Sequence, residues 1–250
     1  MKVIIDYLQG RYSSDLSEPL DISIPFGQAR CFYAPPVMMQ PYQSGDFIGS
    51  IKKGAPVNFY DVSLNPHGNG THTECLGHIT KKQESINQIL KNYHFIAQLI
   101  SVPLEDKNKA DKIISLKSIK AKLGKTAPAA VIIRTLPNRK SKLTKDYSGT
   151  NPPYLDKAAM KYLVKLGVQH LLIDLPSVDR EVDKGKLAAH HIFWGLEKNK
   201  KFDRRSCTIT ELVYVESKIK DGLYLLNLQL APLHLDASPS RPVLYKLIKN

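Results

Sequence analysis

The sequence predicts a mixed α/β protein with more strand than helix. Short apolar runs of strand length outnumber amphipathic helical patterns, and each of the two helical patterns is followed directly by such a run. No Gly/Ser-rich linker or internal repeat divides the 250 residues. A chain of this length can bury one large core or two small ones, and the missing linker favours one. We therefore expect a single domain over residues 1–250, an α/β fold with a mixed β-sheet packed by helices.

The predicted strands are apolar runs of seven to nine residues. The run at 222–230 alternates only in part, so its solvent-facing side is left open. The six runs are 94–102, 129–135, 170–176, 209–215, 222–230 and 242–248.

Two segments show helical spacing. In 116–123 apolar residues recur along one side of a short helix, and Gly124 ends it. In 151–169 prolines precede the helix start, and Gly167 suits its C-terminal cap. Each helix leads into a predicted strand, which is the helix-then-strand unit of an α/β sheet.

Composition limits the class of protein. The chain has 42% hydrophobic and 24% charged residues, as ordinary globular proteins do, and it has no apolar run of the roughly 20 residues that span a bilayer. Asp6 interrupts the apolar N-terminal stretch, so we expect mature sequence, a cytoplasmic location and no membrane partner. The three cysteines are odd in number and widely spaced, which favours reduced thiols over disulfides or a zinc ribbon.

The net charge of +13 raises the alternative of a nucleic-acid-binding module. The basic residues are, however, spread along the chain, with modest density at 198–205 and no interleaved aromatic residues that would stack on bases. We expect a solvated lysine-rich surface and no nucleic-acid partner.

The candidate chemistry lies in the segment HGNGTHTECLGH at 67–78, which holds three histidines and one acid. If the chain runs extended after Gly70, the side chains of His72, Glu74 and His78 share one face. Imidazole and carboxylate are ligands of zinc or manganese in hydrolytic sites.

His67 breaks this two-residue spacing. It joins the others only if the chain turns at Gly68–Asn69, which the flanking glycines allow. The alternative is a polar surface loop whose histidines face water. Three histidines and an acid within twelve residues favour a metal site.

The sequence resembles the cyclase-like metal hydrolases, which include bacterial kynurenine formamidase (arylformamidase) and isatin hydrolase. Their signature is H-x-G-T-H-x-D-x-P-x-H. Here its glycine, threonine, second histidine, acid and last histidine fall on Gly70, Thr71, His72, Glu74 and His78.

The resemblance extends over nearly the whole chain. Residues 15–26 resemble the family's opening Asp-Leu-Ser segment, and residues 171–194 resemble its D-x-x-S-x-D segment with the later histidine. Residues 208–215 resemble its strand with a metal-binding glutamate, and residues 238–245 resemble its C-terminal S-P-x-R segment. The resemblance implies the fold of these swivelling β/β/α-type hydrolases and assembly as a homodimer or homotetramer.

The resemblance also implies residue roles. His72 and Glu74 would be metal ligands, His78 the catalytic acid/base, and His190 and Glu211 the ligands from distant segments. His190 is preferred because its spacing to Phe193 and Trp194 matches the family, and the adjacent histidine at 191 is the alternative. One or two divalent ions, zinc or manganese, would be the cofactor.

Three positions depart from the signature. Its first histidine aligns with Gly68, so that ligand is either lost or supplied by His67. Its aspartate is Glu74, which is longer by one carbon–carbon bond, roughly 1.5 Å, and its proline is Leu76. Residues 197–205 are expected to form an inserted basic surface loop.

Other polar residues have weaker claims. Asp174 and Asp179 could orient a ligand imidazole, or they could cap turns near Pro176. Cys75 is expected to be a small buried residue rather than a nucleophile. Phe26, Tyr33 and Tyr60 could line a pocket for a flat substrate, or they could equally pack in the core or on the surface. His94, His170 and His234 are expected to be structural.

These features together predict a metal-dependent amidohydrolase, arylformamidase-like, that cleaves a carbon–nitrogen bond of a small molecule. A divalent ion would activate water and polarise the carbonyl, and His78 would relay the proton to the leaving nitrogen. The alternative is a non-catalytic metal- or ligand-binding descendant of the same fold, which Gly68 and Glu74 favour.

Overall fold

A computed structural model describes residues 1–196 and 204–250. The inserted surface loop predicted over 197–205 lies mostly outside the described residues. Arg204, at its end, is buried at 8% exposure, and its guanidinium lies 4.8 Å from the centre of the Phe193 ring. This arginine therefore belongs to the core rather than to a solvated basic loop.

The chain forms eighteen strands and four α-helices among the described residues. The strands are β1 (Lys2–Tyr7), β2 (Gly10–Asp15), β3 (Leu20–Asp21), β4 (Met38–Pro41), β5 (Gln43–Ser44), β6 (Phe47–Ile48), β7 (Tyr60–Ser63), β8 (His72–Glu74), β9 (His94–Pro103), β10 (Glu105–Asp106), β11 (Lys112–Ile114), β12 (Ala130–Leu136), β13 (Tyr154–Leu155), β14 (His170–Ile173), β15 (Thr208–Glu211), β16 (Gly222–Leu230), β17 (Ala237–Lys246) and β18 (Ile248–Lys249). The helices are α1 (Ile86–Ile89), α2 (Leu116–Lys122), α3 (Lys157–Lys165) and α4 (Ala188–Phe193). Short 3-10 helices span Ile51–Lys53, Leu76–Ile79 and Lys140–Leu143.

The main sheet closes on itself. Its strand order is β16, β9, β12, β14, β15, β8, β17, and β17 pairs back with β16, while the short β3 adds to β17. Strands β9, β12, β14 and β15 run parallel, and the remaining pairings of this sheet are antiparallel. The predicted mixed β-sheet with helices on it is confirmed.

Alternation along the central strands separates two hydrophobic clusters. On β12, Val131 and Ile133 face a cluster that includes α2, α3 and α4. Ala130 and Ile132 face the opposite side, which is the interior of the closed sheet. The helices therefore cover one face of the parallel strands, and any polar side chain on that face lies between sheet and helix.

The predicted helix at 151–169 is shorter in the structure, where α3 spans Lys157–Lys165. The residues before it run extended as β13, and Asp156 caps the helix by accepting a hydrogen bond from the Ala158 N–H at 3.2 Å. The predicted strand at 209–215 ends early, because Leu212 takes a left-handed conformation with φ of 54°.

Residues 37–64 form an arm beside the closed sheet. In it β4 pairs with β7 and β5 pairs with β6. Its exposed apolar side chains include Met38, Met39, Phe59 and Val62. This arm was not predicted from the sequence.

None of the helices in the described ranges is long and apolar enough to cross a membrane.

Candidate metal centre

The antiparallel pairing of β8 with β15 brings three ligand-type side chains together. Glu211 lies opposite His72, and Glu74 lies two residues further along β8. Residues opposite each other on paired strands share a face, so all three side chains point toward the helix-covered side. His72 Nε2 is 3.5 Å from Glu211 Oε2, and all three residues are buried.

Helix α4 adds His190 from above this face. His190 Nε2 is 3.0 Å from Glu74 Oε1 and 4.0 Å from Glu211 Oε1. Asp179 fixes the ring, because its Oδ2 lies 2.7 Å from His190 Nδ1 and its carboxylate also accepts the backbone N–H groups of Ala189 and His190. The structure thus brings His190, not the neighbouring histidine, to the cluster.

Of the two predicted orienting aspartates, Asp179 contacts the cluster and Asp174 does not. Asp174 Oδ2 instead accepts the Thr135 N–H and forms an ion pair with Lys142 Nζ, each at 2.8 Å. The suggestion that Asp174 orients a ligand imidazole is therefore wrong.

His67 reaches the cluster because the chain turns after it. Its Nδ1 lies 3.3 Å from Glu74 Oε2. A side chain at Gly68 would not fit, because a Cβ built there would lie 2.2 Å from the Ala34 Cβ. The backbone at 68 is packed against the Ala34 segment, and the imidazole stands one residue earlier.

His78 also lies in the cluster, but not by the predicted route. Residues Leu76–Ile79 form a 3-10 helix, so the extended conformation that was the condition for a shared face holds over His72–Glu74 and does not reach His78. His78 Nε2 is 3.8 Å from Glu74 Oε2, and its side chain is 30% exposed. Of the histidines around Glu74, it and His67 face the adjoining cavity most openly.

Asp236 is a site residue that the sequence analysis missed. Its Oδ2 lies 2.8 Å from His67 Nε2 and 3.4 Å from His78 Nδ1. The carboxylate holds the outer nitrogens of both rings, which turns their inner nitrogens toward Glu74. No local signal could have found it, because 169 positions separate it from His67.

We expect Asp236→Asn to weaken divalent-ion binding by about 10- to 100-fold, because an amide orients the two imidazoles less firmly than a carboxylate does. Isothermal titration with Zn²⁺ measures the effect. The same change at the exposed Asp106 serves as the control. Equal affinities of the two variants would contradict the orienting role.

The electrostatics of the cluster favour positive charge. Burial alone would lower the pKa of His67, but Asp236 and Glu74 raise it to about 10. Burial would likewise lower the pKa of His190, but Glu74 and Asp179 raise it to about 10. Burial would raise the pKa of Glu74, yet His78 and His190 hold it well below its usual value. The buried carboxylates therefore favour the protonated forms of these histidines, and a bound metal cation could replace those protons.

Two buried atoms fit a bound ion. Among the described residues, His72 Nε2 and Glu74 Oε2 make no hydrogen bond although both are inaccessible to solvent; their nearest polar contacts are at ion-pair distances, 3.5 Å to Glu211 Oε2 and 3.3 Å to His67 Nδ1. His72 Nδ1 is engaged by the Gly70 carbonyl at 3.0 Å, which leaves Nε2 as the free ligand nitrogen. Burying such atoms without a partner is costly, and a divalent cation would satisfy both.

The ligand atoms fall into two groups that share Glu74. Those of His72, Glu74 and Glu211 lie within 4.8 Å of one another, and so do those of His67, Glu74 and His78. Glu74 is therefore placed between two possible ion positions.

A cavity of about 440 Å³ adjoins this cluster. His67, His78, His190 and Glu211 line it on one side, and Phe32 is among its apolar walls. The predicted pocket residues Phe26, Tyr33 and Tyr60 do not line it. The suggestion that these three residues line the pocket is therefore wrong. The aromatic side chain in the cavity wall is that of Phe32, whose backbone has a left-handed φ of 55°.

The remaining candidates lie elsewhere. Cys75 is fully buried as expected, and its thiol donates to the Glu84 carbonyl at 3.3 Å. His94 pairs with the amide of Asn227, and His170 packs against the Phe95 ring. His234 is exposed and lies on a separate surface cavity.

The closed mixed sheet, its helical cover and the buried imidazole–carboxylate cluster define a fold with a candidate metal site, and these features can be compared with known proteins. A family model described as "Putative cyclase" matches residues 15–180. The chain belongs to this cyclase family. No curated protein sequence matches the chain.

Several solved structures share the fold. One, described as a potential metal-dependent hydrolase with cyclase activity, is 16% identical with a TM-score of 0.64, and the match covers 91% of this chain and 97% of that one. A predicted metal-dependent hydrolase from Bacillus stearothermophilus is 15% identical with a TM-score of 0.61, covering 91% and 98%. Isatin hydrolase A from Labrenzia aggregata, bound to benzyl benzoate, is 12% identical with a TM-score of 0.64, covering 91% and 93%. At these identities the likeness is one of fold.

His67→Ala tests whether the histidine one position early serves as a ligand. We expect the variant to lose part of its bound metal, because Glu74 and His78 then remain without a third donor in that group. Elemental analysis of the purified protein measures the loss. Wild-type metal content in the variant would mean that the ligand missing at Gly68 has no replacement.

Proposed function

We propose that the protein is a metal-dependent hydrolase that cleaves a carbon–nitrogen bond in a small amide, formamide or cyclic amide. The observation that carries the proposal is the convergence of His67, His72, Glu74, His190 and Glu211 beside a cavity of about 440 Å³. The resemblance to arylformamidases and the isatin hydrolases among the solved structures favour an amide substrate.

Zinc or manganese is the proposed ion, because nitrogen and carboxylate oxygen make up the donor set. His72, Glu74 and Glu211 would hold one ion, and His190 stands close to both carboxylates. A second ion would use His67 and share Glu74. When bound, such an ion lowers the pKa of water toward neutrality and polarises a carbonyl as a Lewis acid.

His78 is the proposed acid/base. It lines the cavity and is partly exposed, and Asp236 lies 3.4 Å from its Nδ1, while its Nε2 lies on the side of Glu74, at 3.8 Å from Oε2. An imidazole in this position can accept a proton from water and donate it to the leaving nitrogen.

We expect His78→Ala to retain its metal while turnover falls by about 100-fold or more, because proton transfer is lost but the other ligands remain. Elemental analysis and steady-state assays check the two parts separately. Loss of metal together with turnover would instead make His78 a ligand, as its place in the second group allows.

The proposed function is tested on protein purified without chelator. Elemental analysis identifies and counts the ion, and a panel of formyl-anilides, cyclic amides and lactams is then assayed with Zn²⁺ or Mn²⁺. Hydrolysis that chelator abolishes supports the proposal. Metal binding with no hydrolysis of any amide would favour the non-catalytic descendant, and affinity for nucleic acid that collapses with salt would favour a binding module.

We also propose that the chain acts in the cytoplasm as a homodimer or homotetramer, with the arm at 37–64 in contact with a second copy. Its exposed Met38, Met39 and Val62 are apolar, and its base adjoins Ala34 and Asn65, which line the cavity. Light scattering of the wild type and of Met39→Lys checks this. A monomeric wild type would contradict it.

A further inference from the structure

A second cavity adjoins the one beside the metal cluster. Its volume is about 420 Å³, and it shares Asp179, Arg180 and Asp183 with the first cavity. The two cavities are therefore neighbouring parts of one cleft, and Arg180 stands where they meet. A ligand bound at the cluster can extend past this arginine.

The second cavity is lined by more cations than anions. Its three carboxylates already have partners: Asp111 accepts from Arg180, Asp179 holds His190, and Asp183 accepts two backbone N–H groups. Among the residues that the structure describes, three of the lining lysines form no ion pair. These lysines are Lys157, Lys184 and Lys186.

The guanidinium of Arg180 is fixed by two hydrogen bonds, and its third nitrogen, Nη2, remains available to a ligand. Its Nε donates to Asp111 Oδ1 at 2.8 Å, and its Nη1 donates to the Val182 carbonyl at 2.5 Å. Its Nη2 has no partner within residues 1–196 and 204–250, and the side chain is 35% exposed. Because two contacts fix the guanidinium, binding an anion with Nη2 costs little further side-chain entropy.

The described lining of the first cavity offers no comparable cation. Apart from its histidines, Arg180 is the one basic side chain among the described residues that line it. Glu181, an acid that also lines this cavity, already has hydrogen-bond partners. Its carboxylate accepts the backbone N–H groups of Gly149 and Asn151 at 2.6 and 2.9 Å.

We propose that Arg180 selects substrates that carry an anionic group, a carboxylate or a phosphate, at the end away from the bond to be cleaved. Nη2 donates a hydrogen bond to that group, and the lysines of the second cavity attract it. This inference rests on the proposed amide hydrolysis and names the substrate class of that same site.

The test compares substrates of equal shape and different charge. The metal-loaded protein is assayed with 4-formamidobenzoate and with its neutral match, 4-formamidobenzamide. A second pair, 3-(4-formamidophenyl)propanoate and the corresponding propanamide, places the charge two carbons further out. We expect kcat/KM to favour the anionic member of at least one pair.

Arg180→Gln should lower kcat/KM for the preferred anionic substrate by about 10- to 100-fold and leave the neutral match nearly unchanged, because one charge-assisted hydrogen bond is lost. Arg11→Gln, on an exposed strand of the N-terminal hairpin, makes the same charge change away from the cleft. Thermal unfolding shows whether each variant is folded. Should Arg180→Gln not fold, Lys184→Gln with Lys186→Gln replaces it, and a smaller loss confined to the anionic substrates is expected.

Two outcomes would overturn the inference: a wild type with no preference for the anion in either pair, or a preference that Arg180→Gln retains. If no formamide is hydrolysed, the proposed function fails for these substrates. Isothermal titration of the same compounds then decides the inference by itself, through tighter binding of the carboxylates that Arg180→Gln abolishes.

Discussion

Glu74→Gln is expected to reduce bound metal to background and turnover by about 1,000-fold or more. The substitution keeps the size of the side chain and removes its charge. Glu74 belongs to both candidate ligand groups, and its carboxylate lies 3.0 Å from His190 Nε2 and 3.3 Å from His67 Nδ1. An amide at this position is a poor metal ligand, so both ion positions lose their shared donor.

Metal content by elemental analysis, activity on the amide panel and thermal unfolding measure the result together. The same substitution at the exposed Glu18 is the matched control. Glu74→Asp adds a graded comparison, because it keeps the charge but withdraws the carboxylate by roughly 1.5 Å. A Glu74→Gln protein with its full metal content would refute the ligand assignment.

The second large effect is on stability. Lys142→Met is expected to lower the free energy of unfolding by about 3–5 kcal/mol, because it leaves the fully buried Asp174 carboxylate without its cation. Lys142 Nζ lies 2.8 Å from Asp174 Oδ2 and also donates to the Thr135 carbonyl at 2.8 Å. Lys140→Met, on the same 3-10 helix but exposed, controls for loss of a lysine. Urea unfolding of both variants gives the comparison.

The loss should depend on pH in a definite direction. Burial raises the pKa of Asp174 and Lys142 opposes the rise, so removing the lysine raises this pKa further. The folded state then binds a proton more tightly than the unfolded state, whose aspartate has a pKa of about 3.9. Stability therefore falls as the pH rises from that value through the folded-state pKa. A penalty of Lys142→Met that is equal at pH 5 and pH 8 would contradict this account.

Apolar run length was enough to predict the six strands that were expected, because β9, β12, β14, β15, β16 and β17 are buried on one or both faces. The arm was not predicted because its strands β4 and β7 are short and largely exposed. The β1–β2 hairpin was not predicted because its apolar stretch is short and its strands are only partly buried. The early end of β15 depends on the backbone of Leu212, which has no glycine to signal it.

The site was predictable in its residue types and less so in its geometry. The spacing of His72 and Glu74 along a strand correctly indicated a shared face, and the glycine after His67 correctly allowed a turn. The contribution of Asp236 depends on β17 pairing with β8, a contact between distant parts of the chain. No spacing within 67–78 contains that information.

The contact between Gly68 and Ala34 constrains how this site can change. A histidine introduced at position 68 would place its Cβ 2.2 Å from the Cβ of Ala34. The segment carrying Ala34, whose N–H donates to the Cys31 carbonyl at 3.1 Å, would have to move first. A histidine at position 68 therefore requires a compensating change in the loop that carries Ala34, and Gly68→His alone is expected to destabilise the protein rather than add a ligand.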